Sequence, residues 1–438
     1  MRHLMRTLVV GGLLALSFAS PVDAQSAGLR QAADAAGLHF GAAVTVTALD
    51  DDTAYRQLLV DNVNMVSTVS EVDFGVVQPE PGVYDFAAAD ALVDFAAENG
   101  LTVRGHGLIS PDGLPDWITG GSWTPEALTA VLSDHVTEVV GRYAERNPGV
   151  VTQWDVVDEA FLPDGTLRNS LWRQVIGDDF LRVAFEAART ADPGALLFYD
   201  DFYDDLSVTQ DAVDSGLAMV PGATADRSDC ALIPKCTGVR STIASLVAAG
   251  VPIDGIGFQA HLLSPAPVDF TTFSPWVDDL GLEWAITEFD VPVPVTEITN
   301  PDTLAFQADV YATSLSACLD ADSCDTFVVW GVTDRLPPTP DTTGGAFGGA
   351  LWLDAVDAPK PAAEAMARVL EAAGPEPSTT DVAVTEPSTA PAVTSPPAEQ
   401  SGDDSNTLVA VAVAAGALAV VGAVILLARR RAPDAKNP

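Results

Sequence analysis

The chain has 438 residues, of which 48% are hydrophobic and 19% are charged, so it is too apolar for a disordered chain. It carries 61 Asp and Glu against 21 Lys and Arg, a net charge of -40, which disfavours nucleic acid and anionic membrane surfaces as partners. Four cysteines are too few for a fold built on disulfides.

The N-terminal segment, residues 1–24, has the pattern of a secretory signal peptide. Arg2 and Arg6 precede an apolar stretch over residues 8–18, and small residues end the segment at Ala24. An N-terminal membrane anchor is the alternative, but the apolar stretch is short for a bilayer. We therefore expect an exported protein whose working domain begins at Gln25.

Short apolar runs rich in β-branched residues then alternate with helical stretches. The eight runs are residues 42–46, 63–68, 102–106, 151–157, 195–199, 253–259, 284–287 and 326–331. Thr124 can cap a helix with Pro125 in its first turn, and the helical pattern over residues 90–99 stops at Gly100. Eight strand-then-helix units predict an α/β fold of the TIM (β/α)8 barrel class over residues 25–374. No glycine-rich turn follows the first run, which argues against a dinucleotide-binding sheet.

The cysteines form two pairs, Cys230 with Cys236 and Cys318 with Cys324, each six positions apart. Such spacing lets each pair close a small loop, as expected in an oxidising compartment. A metal site is the alternative, although the spacing is not that of a CxxC pair. We favour two local disulfides and expect no metal or organic cofactor.

The C-terminal part of the chain reads as a membrane tether. Residues 375–406 are half Pro, Ser and Thr, which predicts an extended linker, and residues 407–428 lack any charge over a length that can cross a bilayer. Three arginines open the tail at residues 429–438, which places that tail in the cytoplasm by the positive-inside rule. A buried core helix is the alternative for residues 407–428. We expect an extracellular, monomeric domain that is tethered to the cell membrane.

Acids, histidines and an aromatic residue stand at the ends of the predicted strands, where TIM barrels place their active sites. In strand order they are His106, Asp158 and Glu159, Asp200 and Asp201, Gln259 and His261, Glu288 and Asp290, and Trp330 and Asp334. Glycoside hydrolysis needs two carboxyl groups that flank the cleaved bond. The pattern predicts Glu159 and Glu288 as that pair, with Trp330 available to stack on a sugar.

At these positions the chain resembles glycoside hydrolase family 10, the endo-1,4-β-xylanases. The matching segments are residues 104–106 (RGH), 154–160 (WDVVDEA), 255–262 (GIGFQAHL), 286–290 (ITEFD), 329–334 (VWGVTD) and 359–362 (PKPA). The resemblance implies a retaining mechanism with Glu159 as acid/base and Glu288 as nucleophile. It also implies a sugar site lined by His106, Asp158, Gln259, His261 and Trp330, with Asp290 in a supporting role, and a local disulfide between Cys318 and Cys324.

The sequence departs from the family's pattern in the shell that binds sugar. The family's Asn before the acid/base is Asp158, and its Asn-Asp on strand five reads Asp200-Asp201. Its Glu, Asn and Lys after strand two read Val69, Ser70 and Asp73, its Trp-His after strand three reads Ser110-Pro111, and its Ser-Trp after strand eight reads Pro337-Pro338. Both glutamates are kept while several sugar contacts are replaced.

We therefore predict a retaining endo-β-glycanase, similar to the xylanases, that acts on an extracellular polysaccharide. Two alternatives stay open from the sequence: the same chemistry on a different β-linked glycan, and a non-catalytic surface lectin on a barrel scaffold. Substitution of Glu288 would separate the last alternative from an enzyme, because a lectin would keep its function.

Overall fold

The computed structural model describes residues 28–202, 230–262, 270–338 and 344–374. The predicted signal peptide, linker, membrane-spanning segment and basic tail lie outside the described residues. Among the helices that are described, none combines the length and the apolar character needed to span a membrane.

Eight parallel strands close into a barrel, which confirms the predicted TIM fold. The strand order around the barrel is β1-β2-β3-β4-β5-β6-β7-β9. The barrel strands are β1 (His39–Ala43), β2 (Met65–Ser67), β3 (Thr102–Gly105), β4 (Val151–Asp158), β5 (Leu196–Phe202), β6 (Gly255–His261), β7 (Glu283–Asp290) and β9 (Cys324–Val329). Strands β8 (Val293–Pro294) and β10 (Phe347–Gly348) form a separate short antiparallel pair. Closure is made between β1 and β9, where Phe40 pairs with Phe327.

Helices follow the strands and cover the barrel. They are α1 (Leu29–Ala36), α2 (Val46–Asp51), α3 (Thr53–Asn62), α4 (Phe74–Val77), α5 (Ala87–Glu98), α6 (Asp116–Thr119), α7 (Pro125–Arg146), α8 (Leu171–Ile176), α9 (Phe180–Ala191), α10 (Pro234–Ala248), α11 (Phe270–Phe273), α12 (Pro275–Asp278), α13 (Pro301–Leu319) and α14 (Pro361–Ala373). Helix α7 begins as predicted, with the Thr124 hydroxyl accepting the Ala127 N–H at 3.2 Å. Its buried face includes Leu128, Leu132 and Val136.

The first strand lies three residues earlier than predicted. The apolar run at residues 42–46 suggested a strand through Val46, but Val46 is the first residue of helix α2. The Glu71 carboxylate accepts the Val46 N–H at 2.8 Å, which supplies a partner for one free N–H of that helix. This contact with a residue 25 positions away stabilises a helix where the apolar run predicted a strand, and sequence alternation could not indicate it.

A buried polar cluster lies inside the barrel below its mouth. Arg104 is fully buried on β3, donates to both carboxylate oxygens of Asp155 and donates to Gln153 Oε1 at 2.5 Å. Gln153 in turn donates to Thr326 Oγ1 at 2.7 Å, which joins β4 to β9 across the interior. Buried charge is tolerated only when it is paired and hydrogen-bonded. This cluster therefore holds the Asp155 side chain in one position, where it can support the residues at the barrel mouth.

Candidate active site

Glu288 lies near the end of β7 with its carboxylate held between two histidines. His106 Nε2 is 3.2 Å from Oε1, and His261 Nε2 is 3.0 Å from Oε2. The Glu288 side chain is only 7% exposed. Each oxygen therefore lies close to one histidine nitrogen, which restricts the orientation of the carboxylate at the barrel mouth.

Both histidines are in turn held by aspartates. His106 Nδ1 contacts Asp155 Oδ2 at 3.0 Å, and His261 Nδ1 contacts Asp290 Oδ2 at 2.8 Å. Burial alone would lower the pKa of His106, but Glu288, Asp155 and Asp158 raise it well above its usual value. Asp290 and Glu288 act in the same way on the pKa of His261. The structure thus brings together four of the residues predicted for the site, with Asp290 supporting His261 and His261 supporting Glu288.

Glu159 follows the last residue of β4 in a left-handed conformation, with φ at 47°. A residue other than glycine rarely adopts this conformation, and it costs about 1 kcal/mol or more. Two hydrogen bonds keep it in place: the Glu159 N–H donates to the Asp200 carbonyl at 3.0 Å, and Arg168 Nε donates to the Glu159 carbonyl at 2.9 Å. The side chain is 31% exposed, so it can meet a ligand from solvent.

The surroundings of Glu159 favour its protonated form. Burial raises the pKa of the Glu159 carboxyl, and the nearby Glu288 adds to that rise. Lys235, Arg168 and His106 oppose the rise without cancelling it. A general acid must carry its proton near the working pH, and a raised pKa helps to meet that condition.

The other predicted sugar-site residues also line the mouth. Gln259 Nε2 donates to Asp158 Oδ1 at 3.0 Å. Trp330 is 5% exposed, and its indole meets the rings of His106 and His261 edge-on, with centroids 5.3 and 6.1 Å away. Trp330 therefore packs against both histidines that contact Glu288, and little of its surface is open to solvent.

Three buried side chains with atoms that can bind a metal also lie close together. They are His106, Asp155 and Asp200, and their ligand atoms all lie within 4.8 Å of one another, a spacing that could suit a metal ion. Arg104, however, already donates to both oxygens of Asp155, so the protein's own guanidinium occupies that carboxylate. The residues at this point fit an internal charge network better than a metal centre.

The sequence analysis did not identify an ion pair beside the site. Lys235 on α10 is 2% exposed, with Nζ 2.5 Å from Asp201 Oδ1 at the end of β5 and 3.0 Å above the Phe202 ring. Burial raises the pKa of Asp201 to about 6, with Lys235 opposing the rise. The chain has only three lysines among 61 acidic residues, and the scarcity of lysine was the signal that could have singled out Lys235.

We expect Lys235→Met to destabilise the protein by about 3–5 kcal/mol, because it leaves Asp201 buried without its cation. Thermal or urea unfolding measures the change. Arg368→Met is the control, since Arg368 is 69% exposed and should alter stability by no more than about 0.5 kcal/mol. Equal stability of the two variants would show that the Lys235–Asp201 pair contributes nothing to the fold.

Both predicted disulfides are present. Cys230 is bonded to Cys236 and Cys318 to Cys324, with Cα atoms 5.2 and 5.1 Å apart. Because all four cysteines are in disulfides, the alternative that they bind a metal was wrong. The first disulfide closes the turn that leads into α10, the helix that carries Lys235.

The segment after β2 has a structural role of its own. The Glu71 carboxylate accepts the N–H groups of Val46, Val69 and Ser70, which fixes the loop against the start of α2. Burial raises the pKa of Asp73 to about 6; His106 opposes that rise, and Glu71 adds to it. Farther round the mouth, Pro338 packs on Gly331, where an added Cβ would lie 2.7 Å from its ring.

A carboxyl group with a raised pKa and a second carboxyl group between two histidines, both at the mouth of a TIM barrel, form a pattern that fits a glycoside hydrolase. The sequence profile of glycosyl hydrolase family 10 matches residues 28–220 and 228–369, and the chain belongs to that family. Endo-1,4-beta-xylanase C of Phanerodontia chrysosporium is 33% identical over 75% of this chain and 75% of its own length. Endo-1,4-beta-xylanase B of Thermotoga neapolitana is 31% identical over 82% of this chain and 96% of its own.

Solved structures give the same result. Native xylanase 10B from Thermotoga maritima superposes with a TM-score of 0.67 at 32% identity, over 79% of this chain and 98% of that one. The GH10 xylanase from Bispora sp. MEY-1 with xylobiose gives 0.66 at 27% identity, over 78% and 99%. The resemblance seen in the sequence is confirmed across the whole barrel.

Proposed function

We propose that this protein is a retaining endo-1,4-β-xylanase-like hydrolase that uses Glu159 as acid/base and Glu288 as nucleophile. The observation that carries the proposal is the contrast between the two glutamates. One is partly open and has a raised pKa, and the other is clamped by His106 and His261. Retaining hydrolysis requires this division of roles.

In the first step the Glu288 carboxylate attacks the anomeric carbon while Glu159 gives its proton to the departing glycosidic oxygen. The bond from that oxygen to the sugar breaks, and a glycosyl ester with Glu288 forms. His106 and His261 hold both Glu288 oxygens, so the carboxylate needs no reorientation before it attacks.

In the second step Glu159, now ionised, accepts a proton from water as the water attacks the ester. The sugar leaves with its original anomeric configuration, and Glu159 is protonated again. Arg168 Nη2, 3.6 Å from Glu159 Oε2, and Lys235 stabilise the anionic form that Glu159 takes between the two steps.

The test follows the first product by NMR during hydrolysis of xylan and of an aryl β-xyloside. A β-configured first product supports the proposal, and an α-configured one excludes retention. Retention also requires the two carboxyl groups to lie about 5–5.5 Å apart.

A different β-linked glycan is the second candidate substrate. Val69, Ser70 and Asp73 stand where xylanases of the family carry Glu, Asn and Lys, so part of the usual recognition of xylan is missing. Parallel assays on xylan and on β-glucans distinguish the two candidates.

We also propose that the enzyme is exported, works outside the cell as a monomer, and is tethered by residues 407–428. The support is the uncharged stretch followed by three arginines, together with two disulfides in the barrel. Fractionation of cells should place the full-length protein in membranes, and a chain ending at Gly374 in the medium. Recovery of the full-length protein in the soluble fraction would contradict the tether.

A further inference from the structure

We propose that Asp158 and Asp200 hold one proton between them, and that this proton makes Asp158 a hydrogen-bond donor to the sugar beside the cleaved bond. Asp158 is then a sugar-binding residue, and Asp200 is a positioning residue that acts through it. The inference rests on the proposed glycosidase function and adds a pH control to its site.

A single amide joins the two carboxyl groups. Gln259 Nε2 is 3.0 Å from Asp158 Oδ1 and 3.4 Å from Asp200 Oδ2, so its two hydrogens can reach one oxygen of each aspartate. Thr287 Oγ1 donates to Asp200 Oδ1 at 2.7 Å. A Cβ at Gly257 would collide with the same oxygen, so Asp200 is packed tightly against β6. Asp158 is 7% exposed and Asp200 is fully buried.

The charged groups that face the pair come from three strands: Arg104 and His106 on β3, Asp155 and Glu159 on and after β4, and Glu288 on β7. The cations among them are already engaged. Arg104 donates to Asp155 and Gln153, and His106 places Nδ1 on Asp155 and Nε2 on Glu288. Within the described residues, the nearest cationic nitrogen to either aspartate is His106 Nδ1, 3.7 Å from Asp200 Oδ2.

Two ionised carboxylates that share one amide donor and are this deeply buried would repel each other, and His106 and Arg104 offset that repulsion only in part. Burial raises the pKa of Asp158 well above its usual value; His106 opposes the rise, and Glu159, Asp200 and Glu288 add to it. Burial, Asp155 and Glu288 also raise the pKa of Asp200 well above its usual value, and His106 and Arg104 oppose that rise. A shared proton relieves this repulsion, as it does wherever two carboxyl groups occupy one site.

The replacement of Asn by Asp at both positions indicates what the shared proton does. Related xylanases carry Asn at both positions, and an amide donates a hydrogen bond at any pH. An aspartic acid donates only while it is protonated. The protonated pair therefore reproduces the donor that Asn would supply, and the donor is lost when the pH rises far enough to remove the shared proton.

Two hypotheses about the protonation state of Asp158 make opposite predictions for the pH profile of Asp158→Asn. If Asp158 is the protonated donor, the amide donates at every pH, and the alkaline limb of kcat/KM moves to higher pH. If Asp158 is ionised and merely raises the pKa of Glu159, its removal lowers that pKa, and the limb moves to lower pH.

The experiment compares kcat/KM against pH for the full-length wild type, Asp158→Asn, Asp200→Asn and the double variant. The substrate is a xylo-oligosaccharide, whose departing sugar needs the proton of Glu159. We expect the limb of Asp158→Asn to move up by about one pH unit. That of Asp200→Asn should move down, because Asp158 loses the carboxyl that retains its proton. The double variant should follow Asp158→Asn. A downward or absent shift in Asp158→Asn, or no downward shift in Asp200→Asn, overturns the proposal.

A binding measurement separates this inference from the proposed function. Calorimetric titration with xylotriose at increasing pH is carried out in a Glu159→Ala background, which slows cleavage. The affinity should fall with rising pH when Asp158 is present and persist when Asp158→Asn is added. If no variant cleaves any glycoside but this contrast in affinity remains, the hydrolase function fails and the proton-sharing pair stands. If all variants cleave glycosides and show the same pH dependence of rate and affinity, the proton-sharing proposal fails and the hydrolase function stands.

Discussion

Glu288→Ala should lower kcat for xylan and for aryl β-xylosides by about 10⁴-fold or more, because it removes the carboxylate that we propose forms the glycosyl ester. Glu159→Ala should behave differently. It should slow xylan cleavage by about 10²–10⁴-fold, since the departing sugar needs a proton. On an aryl β-xyloside with a good leaving group, the first step needs little acid help, so the glycosyl-enzyme should form rapidly and accumulate.

Steady-state and pre-steady-state kinetics measure these effects. A burst of phenol release from Glu159→Ala, absent from Glu288→Ala, identifies which glutamate has which role. Glu283→Gln is the matched control, since Glu283 lies at the opposite end of the same strand and should leave both rates unchanged. Equal losses for Glu159→Ala on both substrates, with no burst, would contradict its assignment as acid/base. Full activity in Glu288→Ala would favour another nucleophile.

The two glutamates could be predicted from the sequence because a TIM barrel places its active-site residues at the C-terminal ends of its strands. All eight apolar runs became parallel strands, and the residues at their C-terminal ends gathered at one mouth. The prediction needed only alternating strands and helices, plus the rule that parallel strands end on the same side. Local sequence signals such as Thr124 and Gly100 also fixed where helices begin and end.

Contacts between strands could not be predicted, because they depend on register. The pairing of β3 with β4 shifts between Val103 and Arg104, and that of β6 with β7 shifts between Phe258 and Gln259. Each irregularity changes which residues stand opposite one another. Beyond the first, Arg104 pairs with Gln153; beyond the second, Gln259 pairs with Glu288. Simple alternation along either strand would not indicate these neighbours.

The conformation of Glu159 also depends on distant residues. Its positive φ is kept by the Asp200 carbonyl on the next strand and by Arg168 nine residues later. Nothing in the local sequence requires a left-handed residue there. The sequence could thus indicate which acid stands at the strand end, while its exposure and raised pKa emerge only from the assembled barrel.

Xylan should be a poorer substrate for this enzyme than for a family member that keeps Glu, Asn and Lys after the second strand. Val69 offers no hydrogen bond, Ser70 is shorter than Asn, and Asp73 has the opposite charge to Lys. Each lost hydrogen bond to a charged partner costs about 1.5–3 kcal/mol, so two losses would slow xylan cleavage by about 100-fold or more. An aryl β-xyloside depends less on these contacts.

The measurement is the ratio of kcat/KM on xylan to kcat/KM on an aryl β-xyloside, which cancels differences in the chemical step. The triple variant Val69→Glu, Ser70→Asn and Asp73→Lys should raise this ratio about 10-fold or more, because remote contacts help to orient the substrate for reaction. Val76→Glu adds an acid at a 43% exposed site on the same segment and should leave the ratio unchanged. The Asp73→Lys change in this variant also affects the site itself. Burial raises the pKa of the Asp73 carboxyl to about 6, and its charge interacts with that of His106. A lysine at position 73 would therefore also act on His106, which contacts Glu288. A ratio in the wild type equal to that of a family member with Glu, Asn and Lys at these positions would show that other residues at the mouth provide the recognition of xylan. A low ratio on xylan with a high one on a β-glucan would instead assign the altered contacts to a different glycan.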